Sequence, residues 1–463
     1  MRESQKILIC LLLISLAPIL TSAQIPLEAE SEFEAAVDQY TVDYERLMTS
    51  RGRSSSSSAV DARRRRKVAP QDTQQEISEA FLVRGAPPLS EYVGSSSLAD
   101  ITRALRNNFA PGTALIFYAY RGDVFQVWLI DQSGLQAYNS QTLSGRELES
   151  TIYGLRSSLG VDSLQSARAP SLVGLTVAPK PAGSKIPMDR AIAEATALLL
   201  PAPIADRLNP VRHLIVAPIL GIGTVPFAIL RPFKSNLFLI DRMSVSIVPS
   251  LFDIETRIKE WTPRYQKPLV IGNPYLPPDS RWRVPPLPGA EDEAIAIAKL
   301  IAAKPLIGRR AVKRRVIARA SEADFLYFAT HGVASSRDPL AGGFLFLSAR
   351  SLNQGFWTAK EVQGSKLRAQ IAILSACQTG LGKTHDAGVI GLSRAFQIAG
   401  VPRVVMSLWS VNDKATAELM KSFVKNLRSN VPSEALRLAM LDVRRQRPAP
   451  SQWASFVLFG IPV

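Results

Sequence analysis

The chain has 463 residues, of which 46% are hydrophobic and 7% aromatic, and its formal net charge is +16 at pH 7. This composition excludes a largely disordered protein, and the length accommodates about two to three domains with ordinary hydrophobic cores. Because the sequence contains 2 cysteines, a framework of several disulfides is excluded as well.

Residues 1–23 have the features of a secretory signal peptide: cations precede an apolar run, ILICLLLISLAPIL, and small residues follow up to Ala23. The run of about 14 residues is shorter than the roughly 20 that span a bilayer, so we expect export to the periplasm or the extracellular space and no stable membrane span. An uncleaved anchor is the alternative. Cleavage after Ala23 would remove Cys10 and leave Cys377 as the single thiol, which calls for an explanation in an oxidising compartment.

Residues 24–80 combine an acidic amphipathic stretch with a basic linker. We predict a helix over residues 25–48 and expect it to contact another chain, such as a regulatory protein. The serine run and the cations of residues 63–67 cannot bury enough apolar surface to fold, so we interpret them as a solvated linker. Contact with an anionic surface and cleavage by a trypsin-like protease are alternatives. No aromatic residues lie between the cations, so specific nucleic-acid binding is not expected.

The first globular half, residues 81–255, alternates helical and strand patterns and predicts a small α/β unit. Helices are predicted over residues 98–109, 145–159 and 188–208, and strands over residues 114–132, with a tight turn between them, and from His213 onward. No cysteine or second histidine lies near His213 in the sequence. We therefore interpret His213 as a structural residue.

The second half, residues 256–463, consists of short apolar strands that alternate with helices. Strands are predicted over residues 267–274, 324–330 and 369–376, and helices over residues 290–301, 414–428 and 432–446. This alternation implies right-handed crossovers and a mainly parallel sheet.

Two reactive side chains follow apolar strands of the second half. His331 comes after the strand FLYFAT, and Cys377 comes after the strand AQIAILSA. In an open parallel sheet, reactive groups gather outside the carboxyl ends of the strands. If these two strands are neighbours, their last residues lie about 5 Å apart, which brings a thiol and an imidazole within reach of each other.

Such a pair predicts acyl transfer at a peptide bond. Cys377 would be the nucleophile, and His331 would take the thiol proton and later protonate the leaving amine. The backbone N–H groups of Cys377 and Gly332 are candidates for the oxyanion hole, since glycine lets a substrate come close. This chemistry needs no metal and no organic cofactor. Ser375 is a candidate hydrogen-bonding support for the cysteine segment, and an ordinary strand residue is the alternative.

The segment after Cys377 also ends like a phosphate-binding loop, in Gly382-Lys383-Thr384. Such a loop needs the pattern G-x-x-x-x-G-K-[ST], and its first glycine would fall at the position of Cys377. It should also run directly into a helix, whereas the residues after Thr384 make a poor helix start. Nucleotide binding is therefore disfavoured.

Several motifs of the chain match a known family. They are FLYFATHG, LSACQTGLG and GVIGLSRAFQIAGVPRVVMSLWSVND, supported by LPGAEDEA and WASFVLFG. These motifs resemble the CHAT family of caspase-like cysteine peptidases, which is related to separases and caspases and often attached to tetratricopeptide repeats. With weaker upstream segments, the resemblance covers residues 92–463.

The resemblance implies an α/β fold of the caspase-hemoglobinase type, with a mainly parallel sheet flanked by helices. It implies that residues 81–255 form a non-catalytic caspase-like half and residues 256–463 the catalytic half. It also implies a catalytic dyad of His331 and Cys377, with Gly332 in the oxyanion hole. Together with the amino-terminal segment, these features predict an exported cysteine endopeptidase acting on a protein or peptide substrate. A catalytically silent scaffold that binds a partner or a peptide is the alternative.

Three features depart from that family. The chain lacks recognisable tetratricopeptide repeats, and Leu220-Gly221 stands where many relatives carry Asp-Gly. Export is unusual for a family associated mainly with cytoplasmic signalling.

Asp386 and Asp413 lie in sequence near the predicted cleft. Either is a candidate for an acidic pocket that receives a basic substrate side chain, as in separases, and surface carboxylates are the alternative.

Overall fold

The structure is a computed structural model, and it describes residues 25–49, 97–160, 171–172, 186–248, 250–255, 260–279, 282–284, 286–333, 343–377, 387–409 and 413–462. The predicted signal peptide, the cations of residues 63–67 and Asp386 lie outside the described residues. Within these ranges, no helix combines the length and the apolar character needed to cross a bilayer.

Helices lie on both faces of a central sheet. They are α1 (Ala29–Thr49), α2 (Leu98–Asn108), α3 (Gly145–Ser158), α4 (Met188–Leu199), α5 (Ala202–Ala205), α6 (Pro288–Leu300), α7 (Lys313–Ala320), α8 (Ala359–Gln363), α9 (Ala387–Ile398), α10 (Asp413–Asn426), α11 (Pro432–Gln446) and α12 (Pro450–Trp453).

The described residues form the following strands, of which all but β4 and β8 belong to that sheet. They are β1 (Thr113–Arg121), β2 (Val124–Asp131), β3 (Gly134–Thr142), β4 (Ser171–Leu172), β5 (His213–Ala217), β6 (Ser244–Ile247), β7 (Pro268–Pro274), β8 (Trp282–Arg283), β9 (Leu306–Gly308), β10 (Phe325–Val333), β11 (Phe344–Phe346), β12 (Phe356–Thr358), β13 (Ile371–Cys377), β14 (Arg403–Ser407) and β15 (Phe456–Gly460).

The sheet runs in the order β12-β11-β10-β13-β14-β15-β6-β5-β1-β2-β3, and β7 pairs with β10 and β9; β4 and β8 form a separate pair. The pairs β7–β10, β10–β13, β13–β14, β15–β6, β6–β5 and β5–β1 are parallel. The expected fold class is therefore confirmed as a mainly parallel α/β sheet flanked by helices. The β15–β6 pair joins strands from the two sides of the predicted boundary at residues 255 and 256, so one sheet crosses that boundary.

The central strands are buried on both faces, which explains their continuous apolar sequences. Every residue of β10, FLYFATHGV, is buried, and so is every residue of β5, HLIVA. A strand of this kind loses the alternation of apolar and polar residues that marks a half-exposed strand, so its side chains pack against helices above and below.

The predicted amino-terminal helix exists as α1, and its apolar face packs on the chain's own sheet. The ring of Phe33 is fully buried and lies edge-on to Phe117 and Trp128. The Trp128 Nε1–H donates a hydrogen bond to the carbonyl oxygen of Ala29 at 3.0 Å. Strands β1 and β2 therefore cover the apolar face of α1, and contact of residues 25–48 with another chain stays a prediction.

His213 has the structural role expected from the sequence. It is buried, and its Nδ1 and Nε2 atoms lie 2.7 and 3.0 Å from the hydroxyl oxygens of Ser244 and Ser246 on the adjacent strand β6. Burial lowers the pKa of His213 to about 3, because the charged imidazolium would lose its hydration. The ring is therefore neutral near pH 7 and links β5 to β6.

Candidate active site

The predicted adjacency of the two reactive strands is confirmed. Strands β10 and β13 are parallel neighbours, and their register ends with His331 directly opposite Cys377. Neighbouring strands lie about 4.8 Å apart, and residues opposite each other point to the same face of the sheet. The structure describes the backbone of Cys377, so this relation between the two residues is one of backbone register.

Strand β10 is longer than the sequence predicted. The apolar pattern indicated a strand over residues 324–330, which stops before His331. Instead β10 continues to Val333, because the antiparallel strand β11 pairs with Gly332 and Val333. His331 therefore lies within a strand that is held from both sides.

Gly332 has a packing role that does not depend on any substrate. A Cβ atom at this position would lie 3.0 Å from the Cβ of Ala376 and 3.4 Å from the Cδ2 of Leu345. Glycine thus lets β10, β11 and β13 approach closely at the end of the sheet. Its assignment to the oxyanion hole stays a prediction.

The imidazole of His331 is buried. The residue is 3% exposed, and its ring packs edge-on against Phe346 with 6.0 Å between the ring centroids. Phe346 on β11 therefore limits the orientations that the imidazole can take, and the imidazole lies below the protein surface.

Asp413 begins helix α10 and lies against the first turn of helix α6. A Cβ atom at Gly289 would come within 2.8 Å of the Asp413 Cβ and 2.9 Å of its Oδ2. Glycine at the start of α6 therefore makes room for the carboxylate. Helix α6 packs on β7 and β10 and against α10, so Asp413 belongs to the helical layer over these strands.

Glu293 is a site residue that the sequence did not single out. It is 3% exposed on the inner face of α6, and its Oε1 accepts a hydrogen bond of 2.7 Å from the hydroxyl of Tyr327 on β10. Ser375 on β13 lies beside the same carboxyl group and lowers its pKa, whereas the predicted support of the cysteine segment by Ser375 stays a prediction. Helical spacing could have predicted the burial of Glu293, because it lies four residues before Ile297 and therefore on the same buried face of α6.

A buried ion pair connects the helix after the cysteine segment to the first half of the chain. The Nη1 atom of Arg394 on α9 lies 2.9 and 2.8 Å from the two carboxylate oxygens of Asp253, and the two side chains are 8% and 15% exposed. Asp253 comes from the short helical turn Leu251–Ile254. The position of α9 therefore depends on a residue from the other side of the predicted domain boundary.

The CHAT domain profile matches residues 190–461, more than half of the chain and all the strands that form the site. The chain belongs to the CHAT domain family. The human tetratricopeptide repeat protein 28 is 30% identical over 284 residues, a match covering 52% of this chain and 11% of that protein. The mouse protein of the same name is 28% identical over 284 residues, covering 52% of this chain and 12% of its own length. This CHAT-family chain thus matches a small part of these relatives.

Two solved structures are similar in fold to this CHAT-family chain. The Saccharomyces cerevisiae separase in its complex with securin has a TM-score of 0.47 and 12% identity, over 81% of this chain and 31% of the separase chain. The Arg-specific cysteine proteinase gingipain R has a TM-score of 0.38 and 10% identity, over 61% of this chain and 68% of its own chain.

Proposed function

We propose that this CHAT-family protein is a cysteine endopeptidase that cleaves peptide bonds with Cys377 and His331. The observation that carries the proposal is the register that sets these two residues directly opposite each other on parallel strands. A thiol and an imidazole that share one face at this spacing can form a hydrogen bond by side-chain rotation alone.

The proposed reaction has two stages. His331 takes the proton of the Cys377 thiol, the thiolate attacks the carbonyl carbon of the substrate, and the resulting oxyanion accepts hydrogen bonds from the N–H groups of Cys377 and Gly332. The imidazolium then protonates the leaving amine. Water, deprotonated by the same imidazole, hydrolyses the thioester and restores the thiol.

The burial of His331 adds a condition to this proposal. At 3% exposure the imidazole cannot touch a polypeptide substrate, so the structure corresponds to a closed state of the proposed enzyme. Side chains around the ring, including Phe346, have to move before a substrate enters.

We propose that the substrate is a protein or peptide with a basic residue before the cleaved bond. Asp413 supports this part of the proposal because its carboxylate lies in the helical layer on the side of the sheet that carries the dyad. Asp386, outside the described residues, is the second candidate. The chain is further proposed to be exported through residues 1–23, and a regulatory partner, if it uses residues 25–48, would contact the outward surface of α1.

A catalytically silent scaffold is the second candidate function. The same 3% exposure of His331 favours it, since a binding protein has no need to open the site. The two candidates differ in the outcome of Cys377→Ala, which abolishes the biological effect of an enzyme and leaves that of a scaffold intact.

Labelling of the thiol by substrate-like inhibitors tests the peptidase proposal. Peptidyl acyloxymethyl ketones with arginine, lysine, aspartate or leucine next to the reactive group are incubated with the wild type, Cys377→Ala, His331→Ala and the matched control Cys10→Ala. We expect labelling of the wild type and of Cys10→Ala, fastest with arginine or lysine, and none of Cys377→Ala. Labelling that persists at equal rate in His331→Ala would contradict the dyad.

A further inference from the structure

A buried polar cluster lies directly behind the proposed dyad. It consists of Glu293 from α6, Tyr327 from β10 and Ser375 from β13. Glu293 is 3% exposed and Tyr327 is fully buried. The Tyr327 hydroxyl donates a hydrogen bond of 2.7 Å to Glu293 Oε1. The Ser375 hydroxyl lies beside both groups and lowers the pKa of each.

The geometry of the two strands connects this cluster to the dyad. Side chains along a strand point to the same face at every second residue, about 6.7 Å apart. Ser375 is two residues before Cys377 on β13, and Tyr327 is four residues before His331 on β10. All four residues therefore share one face of the sheet, and the carboxyl group of Glu293 bridges the two strands just before they reach the dyad.

The surroundings of Glu293 shift its protonation change to near neutral pH. Burial is the main cause and raises the pKa of Glu293 to about 7. Hydrogen bonds from Ser375 and Tyr327 act in the opposite direction, the negative charge of Asp413 raises the pKa further, and the positive charge of Lys421 lowers it. Tyr327 stays protonated in this range, because its burial beside Glu293 holds its own pKa well above the ordinary value.

We infer that Glu293 is a positioning residue for Cys377. It links β10 to β13 through Tyr327 and Ser375, and its charge changes the reactivity of the thiol. The inference rests on the proposed function only in taking Cys377 as the nucleophile. A neutral carboxyl leaves the thiolate undisturbed. A negative charge at a distance of about 10 Å raises the pKa of a thiol by about one unit at an effective dielectric constant of ~20.

Alkylation of Cys377 by iodoacetamide tests the inference without requiring turnover. The full-length wild type, Glu293→Gln and Asp292→Asn are alkylated across the range from about pH 5.5 to about pH 9, and modification is followed on the Cys377 peptide by mass spectrometry. Asp292→Asn is the matched control, because it removes one negative charge from the exposed side of the same helix.

In the wild type and in Asp292→Asn, we expect the pH profile of the rate to contain a second inflection near neutral pH besides the thiol ionisation. Glu293→Gln should lose that inflection. At about pH 8 it should be alkylated about three- to tenfold faster, because thiolate is gained although a more acidic thiol is a weaker nucleophile. Profiles of Glu293→Gln and the wild type that coincide within about twofold at every pH would overturn the inference.

A second variant keeps the test decisive if Glu293→Gln fails to fold. Tyr327→Phe removes a hydrogen bond that stabilises the carboxylate, so the second inflection should move to higher pH. An inflection that stays in place would overturn the inference. If the variants change the alkylation profile but the protein cleaves no peptide, only the peptidase proposal is refuted. If the protein cleaves peptides but the variants leave the profile unchanged, only the inference is refuted.

Discussion

The substitution Glu293→Gln should make the protein more stable above neutral pH and leave its stability nearly unchanged in acid. Glutamine keeps the oxygen that accepts the hydrogen bond of 2.7 Å from Tyr327, and it has nearly the same volume as glutamate. The variant therefore differs from the wild type mainly in that it cannot ionise.

The magnitude follows from the difference in pKa between the folded and unfolded states. The ordinary pKa of 4.5 applies to the unfolded chain, and burial raises the pKa of Glu293 to about 7 in the folded protein. Each unit of this difference corresponds to about 1.4 kcal/mol, so ionising the buried carboxyl costs about 3 kcal/mol of folding free energy. Between these two pKa values the folded state binds more protons than the unfolded state, so the contribution of Glu293 to stability falls as the pH rises.

Urea unfolding of the wild type, Glu293→Gln and the control Asp292→Asn, at about pH 5 and about pH 8, measures this effect. We expect Glu293→Gln to be more stable than the wild type by less than about 1 kcal/mol at the lower pH, and by about 3 kcal/mol at the higher pH. Asp292→Asn should follow the wild type at both values. If the difference in stability between Glu293→Gln and the wild type is the same at both pH values, the argument that burial suppresses ionisation of Glu293 is refuted.

Three further predictions concern packing at other points of the fold. Asp253→Asn should destabilise the protein by about 3–5 kcal/mol, because it removes the negative charge that faces the buried guanidinium of Arg394; urea midpoints measure this, and equal loss in Asp253→Asn and in the exposed control Asp189→Asn would contradict it. Gly332→Ala should cost about 1–3 kcal/mol, since the added Cβ lies 3.0 Å from Ala376; a melting temperature equal to that of the wild type would show that the strands yield without cost. Phe33→Ala should cost about 3–5 kcal/mol and expose Trp128 to water; an unshifted tryptophan emission maximum would show that α1 is not held by this ring.

The sequence predicted the strands of the site because each is a short apolar run buried on both faces. It also located the reactive residues at the ends of these runs, since strand ends in a parallel sheet are where loops and substrates meet. It misjudged where β10 ends, because a glycine after an apolar run indicates a break unless another strand pairs with it. Here β11 supplies that pairing at Gly332 and Val333.

The amphipathic pattern of residues 25–48 determined that a helix would form and that one face would be covered. It did not determine what covers that face. The contacts of Phe33 with Phe117 and Trp128 join segments that are far apart in the chain, so the choice between a partner protein and the chain's own sheet was made by tertiary packing.

By itself the sequence determined that a thiol and an imidazole come at the ends of two buried strands, because apolar periodicity and residue type are local properties. Only the tertiary structure decided the register that sets His331 opposite Cys377, since a slip by one residue would turn one of them to the other face of the sheet. It also decided the environment of Glu293. A carboxyl group on a helix becomes a buried, readily protonated acid when strands from elsewhere in the chain close over it and remove its water.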